Sequence, residues 1–180
     1  AQLLKTTDAG VTWNFISTVG NAVEDEIETF EEAEEDISDE DEWSFSEEDL
    51  ALDEEAEPHF NAITRTPNGV LIIVGERGAA YRSVDNGDSW ERMQLPYGGS
   101  MFGVISLGDD HVVAFGMRGN AFESRDAGNT WEAVDTQTDL TLMGGVATKD
   151  GGFVLVGANG IVIKRTDAQA EITSQIYTNA

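Results

Sequence analysis

Cysteine is absent from the 180 residues, which excludes a disulfide, a thiolate metal site and a cysteine nucleophile. Histidine is scarce: His59 and His111 are the only two, too few for a zinc site built on imidazoles. Lysine and arginine together number 10 against 35 aspartates and glutamates, for a formal net charge of −25. Nucleic-acid binding through the bulk surface is thereby excluded, because phosphate contacts need cations. No apolar run approaches the ~18 residues that a membrane span requires. The chain opens without a charged-then-apolar leader, which a mature chain would already have lost. Its length suits one ordinary domain with room for a real core.

The negative charge is concentrated. Residues 24–57 hold 20 acids in 34 positions, and no Lys or Arg occurs between Lys5 and Arg65. Outside that stretch 15 acids face 10 bases, a nearly ordinary balance. Like charges this dense repel one another and favour a solvated loop. Yet Ile27, Phe30, Ile37, Trp43, Phe45, Leu50 and Leu52 are threaded through it. The run WSFSEEDLAL reads as a short apolar anchor in acidic flanks, suited to docking on a partner or on the chain's own domain through Trp43, Phe45, Leu50 and Leu52. The carboxylates could collect calcium loosely, but no D-x-D-x-D-G loop is present.

An internal repeat sets the architecture. KTTDAGVTW (5–13), RSVDNGDSW (82–90) and ESRDAGNTW (123–131) align, and KRTDAQAEI (164–172) keeps only the aspartate. Asp85, Asp126 and Asp167 are spaced by 41 residues, whereas Asp8 precedes Asp85 by 77. The surplus of 36 residues matches the acidic segment, which therefore reads as an insertion into a regular array. A second signature recurs in register: VGERG, FGMRG and VGANG, with Arg77, Arg118 and Asn159 at equivalent positions.

Each unit resolves into four short strands split by Gly, Asn and Asp turns, an antiparallel meander, and no window outside the acidic run keeps a helical period. The expected fold is all-β. Four-stranded units of this size stack radially as β-propeller blades. The apolar runs GVLIIV, HVVAF and FVLV fit an inner strand covered on both faces. The expected organisation is the second half of a blade over 1–20, the acidic insertion over 21–58, and blades over 59–97, 98–138 and 139–180, the last with a degenerate final strand. About three and a half blades fall short of a six- to eight-bladed ring, which needs roughly 250 to 330 residues. The remaining blades are then supplied by further chain or by another copy or chain.

The pattern Ser/Thr-x-Asp-x-Gly-x-Ser/Thr-Trp resembles the Asp-box (BNR) repeat of β-propellers. Its aspartates, Asp8, Asp85, Asp126 and the degenerate Asp167, can accept hydrogen bonds from their own turns. Gly10, Gly87 and Gly128 would supply the positive φ, and Trp13, Trp90 and Trp131 would each bury a ring against a neighbouring blade. One carboxylate repeated at a fixed interval reads as structure, so no catalytic residue, metal or cofactor is expected. Sialidases join this box to an arginine cluster, a Tyr–Glu pair and an F-R-I-P element. The nearest string here is Thr64-Arg65-Thr66-Pro67. Alternation of VGxxG with the box in units of about forty residues is similar to the photosystem II assembly-factor-like propellers, over residues 1–20 and 59–167. That resemblance implies a non-enzymatic scaffold that binds a protein outside the cytoplasm, in the periplasm for bacterial relatives that resemble partners of RND-type membrane transporters. The acidic insertion departs from the photosynthetic members and favours those bacterial relatives. The alternative is a glycan-binding or sialidase-like glycoside hydrolase module. The expected partner-binding face carries Arg77, Arg118 and Asn159, with the insertion opening on the same side. His59 and His111 read as packing or surface residues.

Overall fold

A computed structural model describes residues 2–18 and 57–177. The chain divides into two compact units, residues 1–20 with 58–180, and residues 21–57, of which only Glu57 is among those described. The anchor positions Trp43, Phe45, Leu50 and Leu52 lie outside the described residues.

Fourteen strands lie among the described residues of the first unit. The N-terminal hairpin pairs β1 (Leu3–Lys5) with β2 (Asn14–Ile16). The first full blade holds β3 (Phe60–Arg65), β4 (Leu71–Gly75), β5 (Ala80–Ser83) and β6 (Glu91–Arg92). The second holds β7 (Met101–Ser106), β8 (Val112–Gly116), β9 (Ala121–Ser124) and β10 (Glu132–Ala133). The third holds β11 (Leu142–Ala147), β12 (Gly151–Gly157), β13 (Ile161–Asp167) and β14 (Thr173–Ile176). In every sheet the strands follow sequence order and pair antiparallel, as blades of a propeller do.

First strands of successive sheets approach one another, β3 to β7 and β7 to β11, which sets them at the hub. The Asn61 side-chain amide donates to the Met101 carbonyl at 3.0 Å between two of them. The apolar runs that the sequence assigns to an inner strand form β4, β8 and β12, second in each sheet and paired on both edges. Pairing on both edges satisfies every backbone polar group, and that is where unbroken Val and Ile runs fit.

Two apolar layers join the blades. Ile72, Val74, Met93 and Leu95 of the first blade pack on Val112, Ala114, Phe122 and Trp131 of the second. Val113, Phe115 and Ala121, on the second blade's other face, pack on Leu142, Phe153, Leu155 and Ile163 of the third. The Phe115 ring lies over two glycines: a Cβ on Gly103 or Gly145 would stand 2.2 or 2.8 Å from its ring carbons. Only a residue without a side chain admits the ring there.

Two expectations fail at the ends. On β12, Val156 is 44% exposed, so the third apolar run is covered on one face only. Trp13 is 56% exposed, whereas Trp131 is buried between blades. Between hairpin and first blade is an apolar cavity of about 260 Å³, lined by Leu3, Leu4, Trp13, Ile63, Leu71 and Trp90 among others. The sequence-degenerate last strand β14 pairs with β13 over four residues, more fully than β6 or β10, which pair over two.

Candidate partner-binding face

The turns between the second and third strands, 75–79, 116–120 and 157–161, share one backbone design. Arg77, Arg118 and Asn159 have φ of 51°, 54° and 55°, and the following Gly78, Gly119 and Gly160 have φ of 70°, 70° and 74°. Two consecutive left-handed residues reverse the chain tightly; glycine enters that region freely, an arginine at a cost of about 1–2 kcal/mol. Backbone bonds hold the turn on itself: the Gly75 N–H donates to the Ala79 carbonyl at 2.8 Å, and the Gly116 N–H to that of Asn120 at 2.9 Å. Others tie it to the connection entering the same blade or, at Gly78, to the one leaving it. The Gly78 N–H donates to Gly99 O at 3.0 Å, Met117 N–H to Ser100 O at 3.1 Å and Ala158 N–H to Thr141 O at 2.8 Å. The interblade connections and these turns thus share one end of the blades. Arg77, Arg118 and Asn159 are all exposed there.

His59, where the chain returns from the insertion, is part of the same end. Its backbone N–H and ring Nδ1 both meet the Glu76 carboxylate, at 3.3 and 3.0 Å, and the Glu76 N–H donates to the His59 carbonyl at 2.9 Å. Hydrogen bonds from the His59 backbone and ring hold the Glu76 carboxyl below its usual range. The residue after the acidic segment is therefore fixed beside the Arg77 turn.

Asp-box turns lie elsewhere, between third and fourth strands. The Asp126 carboxylate accepts from the Thr130 N–H at 2.8 Å, the Thr130 hydroxyl at 2.6 Å and the Ser124 hydroxyl at 2.8 Å. Asp85 is held alike by Ser89 and Ser83, and Asp8 by Thr12 and Thr6. Bonds from Thr12 and Thr6 bring the Asp8 carboxyl down to about 2, and those from Ser89 and Ser83 depress Asp85 further. For Asp126, burial raises the value, but the bonds from Thr130 and Ser124 outweigh it and the net shift is downward. Gly10, Gly87 and Gly128 have φ of 90°, 85° and 89°, and the preceding Ala9, Asn86 and Ala127 are left-handed too, a second such residue that the sequence pattern did not suggest. Asp167 accepts instead from the Gln169 N–H at 2.9 Å and the Thr166 hydroxyl at 3.5 Å. Arg165 stands where the other boxes have Ser or Thr.

Sequence reasoning also missed the charges that cross between blades. The residue three before one box aspartate reaches the residue three after the next: Lys5 pairs with Asp88, and Arg82 donates to the Asn129 side chain. At the next junction Ala170 offers no acceptor, and Glu123 turns to Arg165 instead. Its carboxylate takes Arg165 Nη1 at 2.7 Å and Nη2 at 3.1 Å, Arg125 Nη2 at 2.6 Å, and His111 Nε2. The Arg165 guanidinium also lies 4.6 Å from the centre of the Phe153 ring. Burial raises the Glu123 carboxyl, but bonds and charge from His111 and Arg165 outweigh this and bring it to about 2. His111, expected as a packing or surface residue, is one arm of this ion cluster. The position three before the aspartate is charged in every repeat, Lys5, Arg82, Glu123 and Lys164, though the partners of the first three lie in a neighbouring repeat.

The sequence model described as photosynthesis system II assembly factor YCF48 matches residues 27–171. A solved structure described as YCF48 bound to D1 peptide superposes with a TM-score of 0.63 at 19% identity, over 100% of this chain and 48% of that one. YCF48 from Cyanidioschyzon merolae gives 0.61 at 16% identity, over 98% of this chain and 50% of its own. The chain spans about half the length of these propellers. No curated protein matches it significantly. Blades in sequence order and a family match across most of the residues lead to one conclusion: the chain belongs to the YCF48 family of photosystem II assembly-factor propellers.

Proposed function

We propose that this chain is a non-enzymatic scaffold that binds a protein partner through the end carrying Arg77, Arg118 and Asn159, and that the acidic insertion contributes to the same contact. The observation that carries the reading is the pair of arginines held left-handed at equivalent positions of adjacent blades, beside the point where His59 returns from the insertion. A relative in this family is described as bound to a D1 peptide, which supports a protein ligand for this chain as well. The box carboxylates already accept bonds from their own turns, so they are assigned a structural role.

The proposed setting is outside the cytoplasm, the periplasm of a bacterium, with the scaffold helping to assemble or operate a membrane complex such as an RND-type transporter. No helix among the described residues is long and apolar enough to cross a membrane. Capture from a membrane extract at low and high salt tests the reading. Salt-sensitive retention of a partner that is lost on Arg77→Ala/Arg118→Ala and on deletion of residues 24–57 is expected. Retention indifferent to both changes defeats it.

A further inference from the structure

We propose that the recess beside the Arg77 turn, walled by Arg92 and Gln94, is the subsite that takes an acidic side chain of the bound partner segment. The inference rests on the partner-binding reading and names the chemistry of one contact within it.

The recess has a volume of about 360 Å³ and is lined by Gly78, Arg92, Met93 and Gln94. All four lie in the first full blade, every strand of which is described: Gly78 follows Arg77 in its turn, and the others lie on β6 or just beyond it. Met93 is buried toward the second blade, and alternation along the strand sets Arg92 and Gln94 on the other side, both exposed. Arg92 is the direct cross-strand partner of Tyr81, whose ring meets Phe60 edge-on at 5.6 Å between centroids. The arginine stem therefore stands beside a fixed aromatic pair. The Gly78 N–H is already committed to Gly99 O at 3.0 Å, which leaves the Arg92 guanidinium and the Gln94 amide as the side-chain donors of the recess.

Neither side chain has a partner: Arg92 and Gln94 make no side-chain hydrogen bond or ion pair among the described residues. That is notable in a chain with 35 acids for 10 bases, where Lys5 is taken by Asp88, Arg82 by Asn129, and Arg125 and Arg165 by Glu123. Nor does the repeat call for these residues. In the second blade their places are held by Ala133 and Asp135, and Asp135 accepts from the Gln137 N–H at 3.0 Å, a bond inside its own turn. In the third they are held by Ser174 and Ile176. The blade architecture thus leaves both positions open, and the first blade fills them with an unpaired forked donor beside an amide. That pair suits a carboxylate: the guanidinium meets both oxygens through parallel bonds, and a Gln94 N–H adds a third.

Nitrogen–proton correlation NMR of the isotope-labelled full chain tests this, with N-acetyl-glutamate methylamide as the probe and N-acetyl-glutamine methylamide as its neutral control at constant ionic strength. The glutamate probe should shift the Arg92 Nε–H, the Gln94 side-chain amide and the Gly78 N–H, and the glutamine probe should not. Arg92→Gln should weaken the glutamate probe about three- to fivefold, and Arg92→Lys less, because a point charge keeps the attraction without the fork. Far-UV circular dichroism confirms that each variant keeps its sheet. In capture from a membrane extract, Arg92→Gln should lower retention by a similar factor. Equal shifts from both probes, or a glutamate affinity unchanged by Arg92→Gln, overturn the subsite, while capture lost on Arg77→Ala/Arg118→Ala would still uphold the partner-binding end. Probe binding that depends on Arg92, with capture indifferent to Arg77 and Arg118, keeps the carboxylate site and defeats the partner-binding reading. Shifts that appear only when residues 24–57 are deleted overturn the proposal in favour of the chain's own acidic run as occupant.

Discussion

The three box tryptophans offer a controlled measurement, because they share one motif and differ in what covers them. Trp131 is 9% exposed between the first and second blades, and Trp13 is 56% exposed on the hairpin. Both donate the same bond, Nε1–H to the box glycine carbonyl, at 3.2 Å in Trp131 and 3.1 Å in Trp13. Replacement by alanine removes that bond from each, so the difference between the two variants isolates burial. A tryptophan buries on the order of 200 Å², which at ~25 cal/mol per Å² sets a ceiling of about 5 kcal/mol. Residual burial in the unfolded chain lowers this to about 3–4 kcal/mol for Trp131→Ala. Trp13, less than half covered, should lose about 1.5–2 kcal/mol by the same scaling. Trp90, intermediate in exposure, should fall between. Urea unfolding followed by circular dichroism measures all three. Equal losses at Trp13 and Trp131 would refute the reasoning, since the ring would then be stabilising its own turn and not the junction.

Other consequences are equally direct. Glu123 carries a depressed carboxyl value in the folded protein, so its contribution is complete above the ordinary glutamate value near 4.3 and is lost as pH falls toward about 2. The stability gap between wild type and Glu123→Gln should accordingly be full at neutral pH and narrow through that acid window; a gap independent of pH would remove the carboxylate from the account. Arg118→Gly relieves left-handed strain but frees the unfolded chain, two effects of about 1 kcal/mol that nearly cancel, so its unfolding midpoint should barely move. Gly119→Ala, one residue on, would set a Cβ 1.9 Å from the Thr138 carbonyl oxygen and should lose about 2 kcal/mol or more in the same titration.

Much of the fold is written in the spacing. A strand pattern that repeats every 41 residues gave four strands per blade because each turn carries its own glycine or box. What the spacing left open is contact between repeats. The position three before the box aspartate is Lys, Arg, Glu and Lys in turn, a series without pattern until each is paired with the next blade's turn. Glu123 breaks the sign of that series because Ala170 gives it no partner, and Arg165 takes over from a residue that the motif would make Ser or Thr. The end effects were hidden for a related reason. Trp13 and Val156 look like their buried counterparts, and only the order of blades tells which copies have neighbours. At the end that carries Arg77, Arg118 and Asn159, the repeat makes the three positions equivalent but does not reveal their shared left-handed backbone, since Arg seldom adopts it.

That shared backbone separates shape from recognition. The loop keeps its form through main-chain bonds and the glycine that follows, so the middle side chain can change identity while the scaffold stays put: Arg, Arg and Asn occupy the same conformation within a few degrees. Descendants of one ancestral repeat could therefore exchange the chemistry shown to a ligand, blade by blade, without renegotiating the architecture beneath.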